Sequence, residues 1–389
     1  MNEGQSVFAQ LIWFIPKRKF RRVVDKYQGN HYVKTFSCWD QFLCMLFAQL
    51  THRDSLRDIE ICLRSFRKKL YHCGIRAKIS RSTIAHANDT RDWRIYREFA
   101  SILITEAREL YVNDSFGVEL EETVYAFDAS IISLCISTFP WAKFRETKGG
   151  IKLHTQLDLH GNIPVFIDLS EALQADVTAL DRLELEAGAI YILDRGYIDF
   201  ARLYRFTEFS SFFIVRAKKN LAFTRIYSNA NNKTIGIKSD QIIKLSSEIS
   251  AKNYPDKLRR IHYYDKETDR YLIFLTNNFS LSAITIADLY RSRWQVELFF
   301  KWIKQHLKIK TFYGQSRNAV YSQIWIAITA YVLVAIVKKK LKIEQELYAI
   351  LQFLSVSLFE KTLIYQAFQD YDDHENNEEE YKQLKLFED

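Results

Sequence analysis

A chain of 389 residues that is 48% hydrophobic and 15% aromatic, with only 4 Pro and 11 Gly, is too apolar for a disordered or low-complexity protein. It has room for two or three domains and a sizeable core. A formal charge of +8 with a pI of about 9.0 points to a polyanionic partner, and because the stretch DDHENNEEE (372–380) gathers six acids without a Lys or Arg, the remainder is more basic than the average.

Residues 1 to about 115 read as helical. They include the basic cluster KRKFRR (17–22), the apolar run QFLCMLFAQL (41–50) and a capped amphipathic stretch DSLRDIEICLRSFRKKL (54–70). After a loop at Gly74 a second helix starts at SRSTIAHAND (80–89), with Arg76, Lys78 and Arg81 beside it. Helix, break and Ser/Thr-capped helix resemble a helix-turn-helix, and a plain bundle with a solvated basic face gives the same pattern. The five cysteines, Cys38, Cys44, Cys62, Cys73 and Cys135, contain no CxxC pair, and the amino terminus has no secretion signal. Free thiols in a reducing cytoplasm are expected, not Cys-bound metal.

From about 120 the period changes to that of strands. TVYAFDAS (123–130) delivers Asp128 at its end, and GIKLHTQLDLHGNIPVFIDLS (150–170) reads as a hairpin turning at His160-Gly161-Asn162. Lys152 and His154 lie on the strand after Asp128, open to a phosphate-facing or a surface role. A helix is expected through DVTALDRLELEA (176–187). AIYILDRGYID (189–199) is a short apolar strand ending in Asp194, followed by Arg195, Gly196 and Tyr197, and FFIVRAK (212–218) is a further strand. Carboxylates at the carboxyl ends of buried strands stand where α/β sheets place their chemistry, although an Asp there also caps a following helix.

Residues 219–283 read as four strands, AFTRIY, IKSDQIIKL, LRRIHYYD and RYLIFLTN, the last two joined by a turn at 266–269. They look like an all-β insertion. Its aromatics and cations, Phe223, Arg225, Tyr227, Arg259, Arg260, His262, Tyr263 and Tyr264, suit stacking on unpaired bases, and aromatics of a half-buried sheet also serve as core.

ITIADLYRSRWQVELFFKWIKQHLK (284–308) has no Gly or Pro and reads as one helix, capped by Thr285 with Asp288 three residues on. At about 100° per residue, Tyr290, Arg293, Glu297, Lys301, Lys304 and Lys308 form one narrow polar stripe, the rest of the circumference being apolar. Glu297 then has two readings: an intrahelical ion pair with Arg293 and Lys301, or a metal ligand among cations that hold a polyanion. Downstream, IWIAITAYVLVAIV (324–337) is too short for a comfortable membrane span and is expected as a buried helix.

Asp128, Asp194 and Glu297 come from three separate elements beside a basic seam. Three carboxylates so placed are what two divalent cations need for phosphoryl transfer, and hard oxygen ligands favour Mg²⁺, with Mn²⁺ a substitute.

These residues resemble a known family, the DDE transposases of bacterial insertion sequences. Tyr290, Arg293, Glu297 and Lys304 match the spacing Y-x2-R-x3-E-x6-K of insertion-sequence family four, and FDAS at Asp128 and LDRGY at Asp194 are similar to its two aspartate motifs. The resemblance runs from about 120 to 310. It implies an α/β fold with a ribonuclease H-like catalytic core interrupted by the β-rich insertion, and helical amino- and carboxyl-terminal parts. It also implies that Asp128, Asp194 and Glu297 are catalytic and bind two Mg²⁺, while Tyr290, Arg293 and Lys304 hold a terminal phosphate; Arg195 and Lys301 are counted with the DNA-binding cations. The expected division is a DNA-end-binding domain at 1–117, core at 118–218, insertion at 219–283, core again at 284–310, carboxyl-terminal helices at 311–370 and an acidic tail at 371–389.

The implied activity is end nicking to a 3′-hydroxyl, hairpin formation and opening, and strand transfer into target DNA. An aromatic of the insertion or of the Glu297 helix would hold a displaced base. The expected partners are terminal inverted repeats and target DNA, with a homodimer in the synaptic complex and no membrane, in a cytoplasmic, nucleoid-associated setting. A structure-selective nuclease of the same fold, or an inactive DNA-binding descendant, are the alternative readings.

Overall fold

The computed structural model describes residues 4–75, 79–218, 220–230, 235–306 and 312–368. Arg76, Lys78, Lys308 and the acidic tail lie outside them. The chain divides into two compact units, one of residues 1–110 with 302–389 and one of residues 111–301.

The first unit is helical. In chain order it holds α1 (Val7–Trp13), α2 (Lys17–Lys26), α3 (Cys38–Leu50), α4 (Leu56–Ser65), α5 (Arg67–Leu70), α6 (Arg81–Thr90) and most of α7 (Arg94–Tyr111). α3 begins at a capping box, Ser37 Oγ accepting from the Asp40 N–H while Asp40 accepts from the Ser37 N–H, and all of it but Trp39 is buried. The stretch expected as one helix over 54–70 breaks at Phe66 into α4 and α5. α4 packs against α6, whose amino end is capped by Ser80. Much later in the chain α12 (Arg317–Leu341) and α13 (Leu347–Ser357) join this unit. α12 is long and apolar enough to cross a membrane, yet its apolar window is wholly buried within the unit, as a core helix is. All five cysteines are unpaired thiols, with Cys135 the exposed one.

The second unit is built on one mixed sheet of ten strands among the described residues. They are β1 (Val124–Leu134), β2 (Lys143–Arg145), β3 (Lys148–Asp158), β4 (Ile163–Glu171), β5 (Ile190–Leu193), β6 (Phe212–Arg216), β7 (Phe223–Ser228), β8 (Ile237–Leu245), β9 (Leu258–Asp265) and β10 (Arg270–Thr276). Its helices are α8 (Phe200–Glu208), α9 (Glu248–Asn253), α10 (Ala283–Ser292) and the first part of α11 (Trp294–His306). The order is β2-β3-β1-β5-β6-β10-β9-β8-β7, with β4 also on β3. β5 runs parallel to both β1 and β6, and IYIL is buried throughout, as a strand covered on both faces must be. The β3–β4 hairpin turns where expected: Gly161 (φ +74°) and Asn162 (φ +55°) are left-handed, and a Cβ on Gly161 would collide with the Tyr111 ring. One core cluster gathers Tyr125, Phe127, Tyr191, Leu193, Phe213 and Leu275 under α8.

Three expectations change. Residues 176–187 hold only a 3₁₀ segment, Asp176–Arg182. The stretch 219–283 is not all-β, since α9 lies between β8 and β9, and its strands are no separate layer: β10 pairs with β6 and carries the core sheet outward. Of the stretch expected as one helix, residues 284–306 are described and form two helices. α10 starts a turn early at Ser282, whose hydroxyl accepts from the Thr285 N–H, and the chain tightens at Arg293, where the Arg293 and Val296 N–H groups reach back only three residues, to Tyr290 and Arg293.

Candidate active site

β1, β5 and β6 end their mutual pairing at one level. The last pairs are Phe127↔Leu193 and Leu193↔Val215, so one position further stand Asp128, Asp194 and Arg216. Asp128 is therefore not at the end of its strand, because β1 continues along β3 to Leu134. It stands where the parallel ladder stops, the carboxyl-end crevice at which open α/β sheets place ligands.

α10 and α11 bring the third carboxylate and its partners. Tyr290 is buried against Phe274, with ring centroids 4.7 Å apart, and its hydroxyl donates to Asp194 Oδ1 at 3.1 Å. Arg293 donates from Nη1 to Asp128 Oδ2 at 2.9 Å and from Nη2 to Glu297 Oε1 at 2.6 Å. Glu297 thus meets the ion-pair reading with Arg293, and through that arginine it is joined to Asp128. The Arg293 side chain is 16% exposed, and its Nε is buried without a hydrogen-bond partner among the described residues.

Burial pushes the Asp128 carboxyl up to about 6. The Ala129 N–H and the Arg293 charge act against that rise, while the charges of Asp194 and Glu297 add to it. The charges of Asp194 and Glu297 thus reach Asp128. The three carboxylates are not closed into a ligand cage: among the described residues no three His, Cys, Asp or Glu stand close enough to share a metal ion. The donors nonetheless fit a hard divalent cation, being carboxylate oxygens from three elements with Arg293 as the movable charge between two of them.

The remaining expected residues are dispersed. Arg195 follows Asp194 directly and is exposed, as is Lys301, one turn beyond Glu297. Lys304 is half-buried further along α11, in the part that groups with the helical unit. The polar stripe is not the open face of this segment: Tyr290 is 9% exposed while Trp294 and Leu298 are 57% and 40% exposed, because the break at Arg293 shifts the helical phase. Lys152 and His154 are not at the surface. Lys152 Nζ donates to the Gln174 carbonyl at 2.6 Å and pairs with Asp176 at 2.8 Å, while fully buried His154 meets Ser170 Oγ at 2.9 Å.

One residue escaped the sequence reading. Arg216 ends β6 beside Asp194, and its charge reaches the Tyr290 phenol, which burial and Asp194 otherwise raise. The signal was available as a cation closing the apolar run FFIV, but its neighbour is set by strand register, which is not local in sequence.

Residues 119–333, more than half of the chain, match the Transposase DDE domain, and the chain belongs to that family. Residues 3–76 match a domain of unknown function, DUF4372. A protein of Sinorhizobium fredii named as transposase y4zB is 32% identical over 57% of this chain and 63% of its own length. The transposase named for insertion sequence element IS5377 of Geobacillus stearothermophilus is 30% identical over 53% of this chain and 54% of its own. The chain thus spans less than two thirds of either relative. A Synechocystis protein named as the transposase of element IS4SA is 24% identical over 81% of this chain and 87% of its own. A solved piggyBac transposase synaptic complex with hairpin DNA shares 12% identity, covering 97% of this chain and 81% of that one, with a TM-score of 0.43. The resemblance to insertion-sequence transposases read from the two aspartate motifs and the Y-R-E-K spacing agrees with these relatives.

Proposed function

We propose that the chain is a DDE transposase with a ribonuclease H-like core. It nicks insertion-sequence ends, forms and opens hairpins there, and transfers the 3′-hydroxyl ends into target DNA. The observation that carries this reading is the placement of Asp128 and Asp194 side by side at the end of a parallel ladder, with Glu297 one guanidinium away. The sheet order supports the core assignment, since β4, β3 and β1 are antiparallel neighbours and β5 and β6 continue parallel to β1.

Asp128, Asp194 and Glu297 would hold two Mg²⁺ ions, or Mn²⁺ in their place. Bound there, the pair would activate a water or 3′-hydroxyl and steady the leaving oxygen of an in-line displacement. Tyr290 keeps Asp194 oriented through its hydroxyl. Arg293 leaves the carboxylates to take a DNA phosphate, a planar fork suited to that exchange. Arg195, Arg216, Lys301 and Lys304 add positive charge along the DNA path. Trp294, the exposed aromatic of the glutamate helix among the described residues, suits a displaced base. A homodimer would synapse two ends, with the protein held at the nucleoid by DNA.

The test is a plasmid carrying the element's terminal repeats, incubated with the protein and Mg²⁺. Cutting at the repeat ends with hairpin-ended fragments and target joining is expected, and Glu297→Gln should bind without cutting. Cutting that survives Glu297→Gln would sink the triad, and binding without cutting by both proteins would leave a DNA-binding descendant.

A further inference from the structure

The β9–β10 hairpin runs past the end of the core. β10 pairs with β6 from Phe274↔Arg216 to Thr276↔Ile214, whereas with β9 it is paired from Arg270↔Asp265 onward. Residues 270–272 therefore overhang the carboxyl end of β6, where Asp194 and Arg216 stand, by about 10 Å at the usual strand rise.

Side chains directly opposite in a ladder share a face. Tyr264 faces Tyr271, His262 faces Ile273 and Arg260 faces Leu275. Leu275 belongs to the core cluster, so this is the face that α8 and α9 cover further in. Along the overhang the face is open. Tyr271 is 62% exposed, and Tyr264 and His262 are half-buried. The rings form a strip, Tyr264 to Tyr271 at 4.9 Å and His262 to Tyr271 at 5.4 Å, with Lys238 Nζ 5.2 Å from the Tyr264 ring. Arg260 lies 5.0 Å from the Phe223 ring, and burial, then Arg260 and Lys238, lower the His262 pKa, so its ring is uncharged at neutral pH. Lys238 and Arg260 supply positive charge on this face, and the nearby Asp269 is occupied as acceptor of the Tyr264 hydroxyl at 2.8 Å.

A cross-strand aromatic pair by itself only stabilises a hairpin. Open ring faces bordered by cations are what an unpaired polynucleotide requires, a π surface for each base and positive charge for each phosphate. We infer that the overhanging face of β9–β10, with Tyr264 and Tyr271 as stacking surfaces and Lys238 and Arg260 as phosphate contacts, docks unpaired nucleotides. The site stands on this surface alone and does not depend on the catalytic reading.

The test is a single-stranded oligonucleotide carrying 2-aminopurine, titrated with the full chain and read by fluorescence quenching and anisotropy. Wild type quenches the probe. Tyr271→Leu weakens binding at least about fivefold, the lower range for one lost base stack, whereas Tyr271→Phe, which keeps the ring, binds as wild type. Lys238→Gln lowers the salt dependence, and duplex of the same sequence is affected by none of the three. Equal binding by Tyr271→Leu, equal loss in Tyr271→Phe, or an equal loss on duplex overturns the assignment and leaves a structural ring pair. Glu297→Gln must quench as wild type does, so failure to cleave DNA bears on the catalytic reading alone.

Discussion

Among the arginines of the sheet unit that hold carboxylates, Arg259 and Arg293 differ most tellingly, one in a closed ion pair and the other shared between two acids. Arg259 meets a single partner, Asp240, in a fork of 2.9 and 2.7 Å, and spends its remaining nitrogen on the carbonyls of Leu281 and Asn278. Both side chains are at most 7% exposed. Arg293 instead divides its fork between Asp128 and Glu297, which come from a strand and a helix, and leaves Nε buried without a hydrogen bond. Glu297 is 36% exposed. A buried pair that is fully satisfied is costly to break and offers nothing to a ligand. A cation shared by two carboxylates, with further acids at hand, can be exchanged for a metal ion on one side and a phosphate on the other.

The largest effect that follows is on chemistry. Asp194→Asn or Glu297→Gln should lower end cleavage by at least about 10³-fold, as loss of a ligand from a two-metal site does, while band-shift assays show end DNA still bound. Next comes stability. Arg259→Ala should cost about 3–5 kcal/mol in urea unfolding because Asp240 is left charged and buried. Arg293→Ala should cost only about 1–2 kcal/mol, since Asp128 can take up a proton and Glu297 reaches water. Equal costs would erase the distinction between the two arginines.

A third effect is on pH dependence away from both arginines. Burial lowers His154 to about 4, only partly offset by Asp168 and Asp176. Between the ordinary histidine value and about 4, the unfolded chain binds a proton that the folded one refuses, so stability falls as the pH falls. The loss approaches about 3 kcal/mol at the acid limit. His154→Gln should flatten unfolding free energy against pH between 6.5 and 4; an unchanged slope would remove His154 as its source. The smallest effect concerns Arg216, which has no ion-pair partner among the described residues. Arg216→Gln should weaken end binding by about tenfold, one charge-assisted contact, with unfolding within about 0.5 kcal/mol of wild type.

Much of this was legible because it is local. IYIL followed by Asp194, and VYAF followed by Asp128, announce apolar runs that lead into an acid, although β1 continues past Asp128, and the four strands of residues 219–283 fall where alternation places them. What stayed hidden depends on long-range pairing. No Gly or Pro marks the break at Arg293, so a continuous helix was the natural reading; the two halves are set apart by what they pack on, Tyr290 by Phe274 and Arg293 by Asp128. Nor does any local feature say that β10 joins β6, which turns an expected insertion into an extension of the core sheet. Asp128, Asp194 and Glu297 were readable as three residues, but the link between Asp128 and Glu297 through Arg293 was not.

The most direct measurement counts Mn²⁺ bound to the full chain in the presence of end DNA, by electron paramagnetic resonance. Wild type should bind two ions per chain, and Asp128→Asn, Asp194→Asn and Glu297→Gln should each lose at least one while still binding DNA. Unchanged Mn²⁺ binding across the three variants would contradict the assignment of these carboxylates to one catalytic centre.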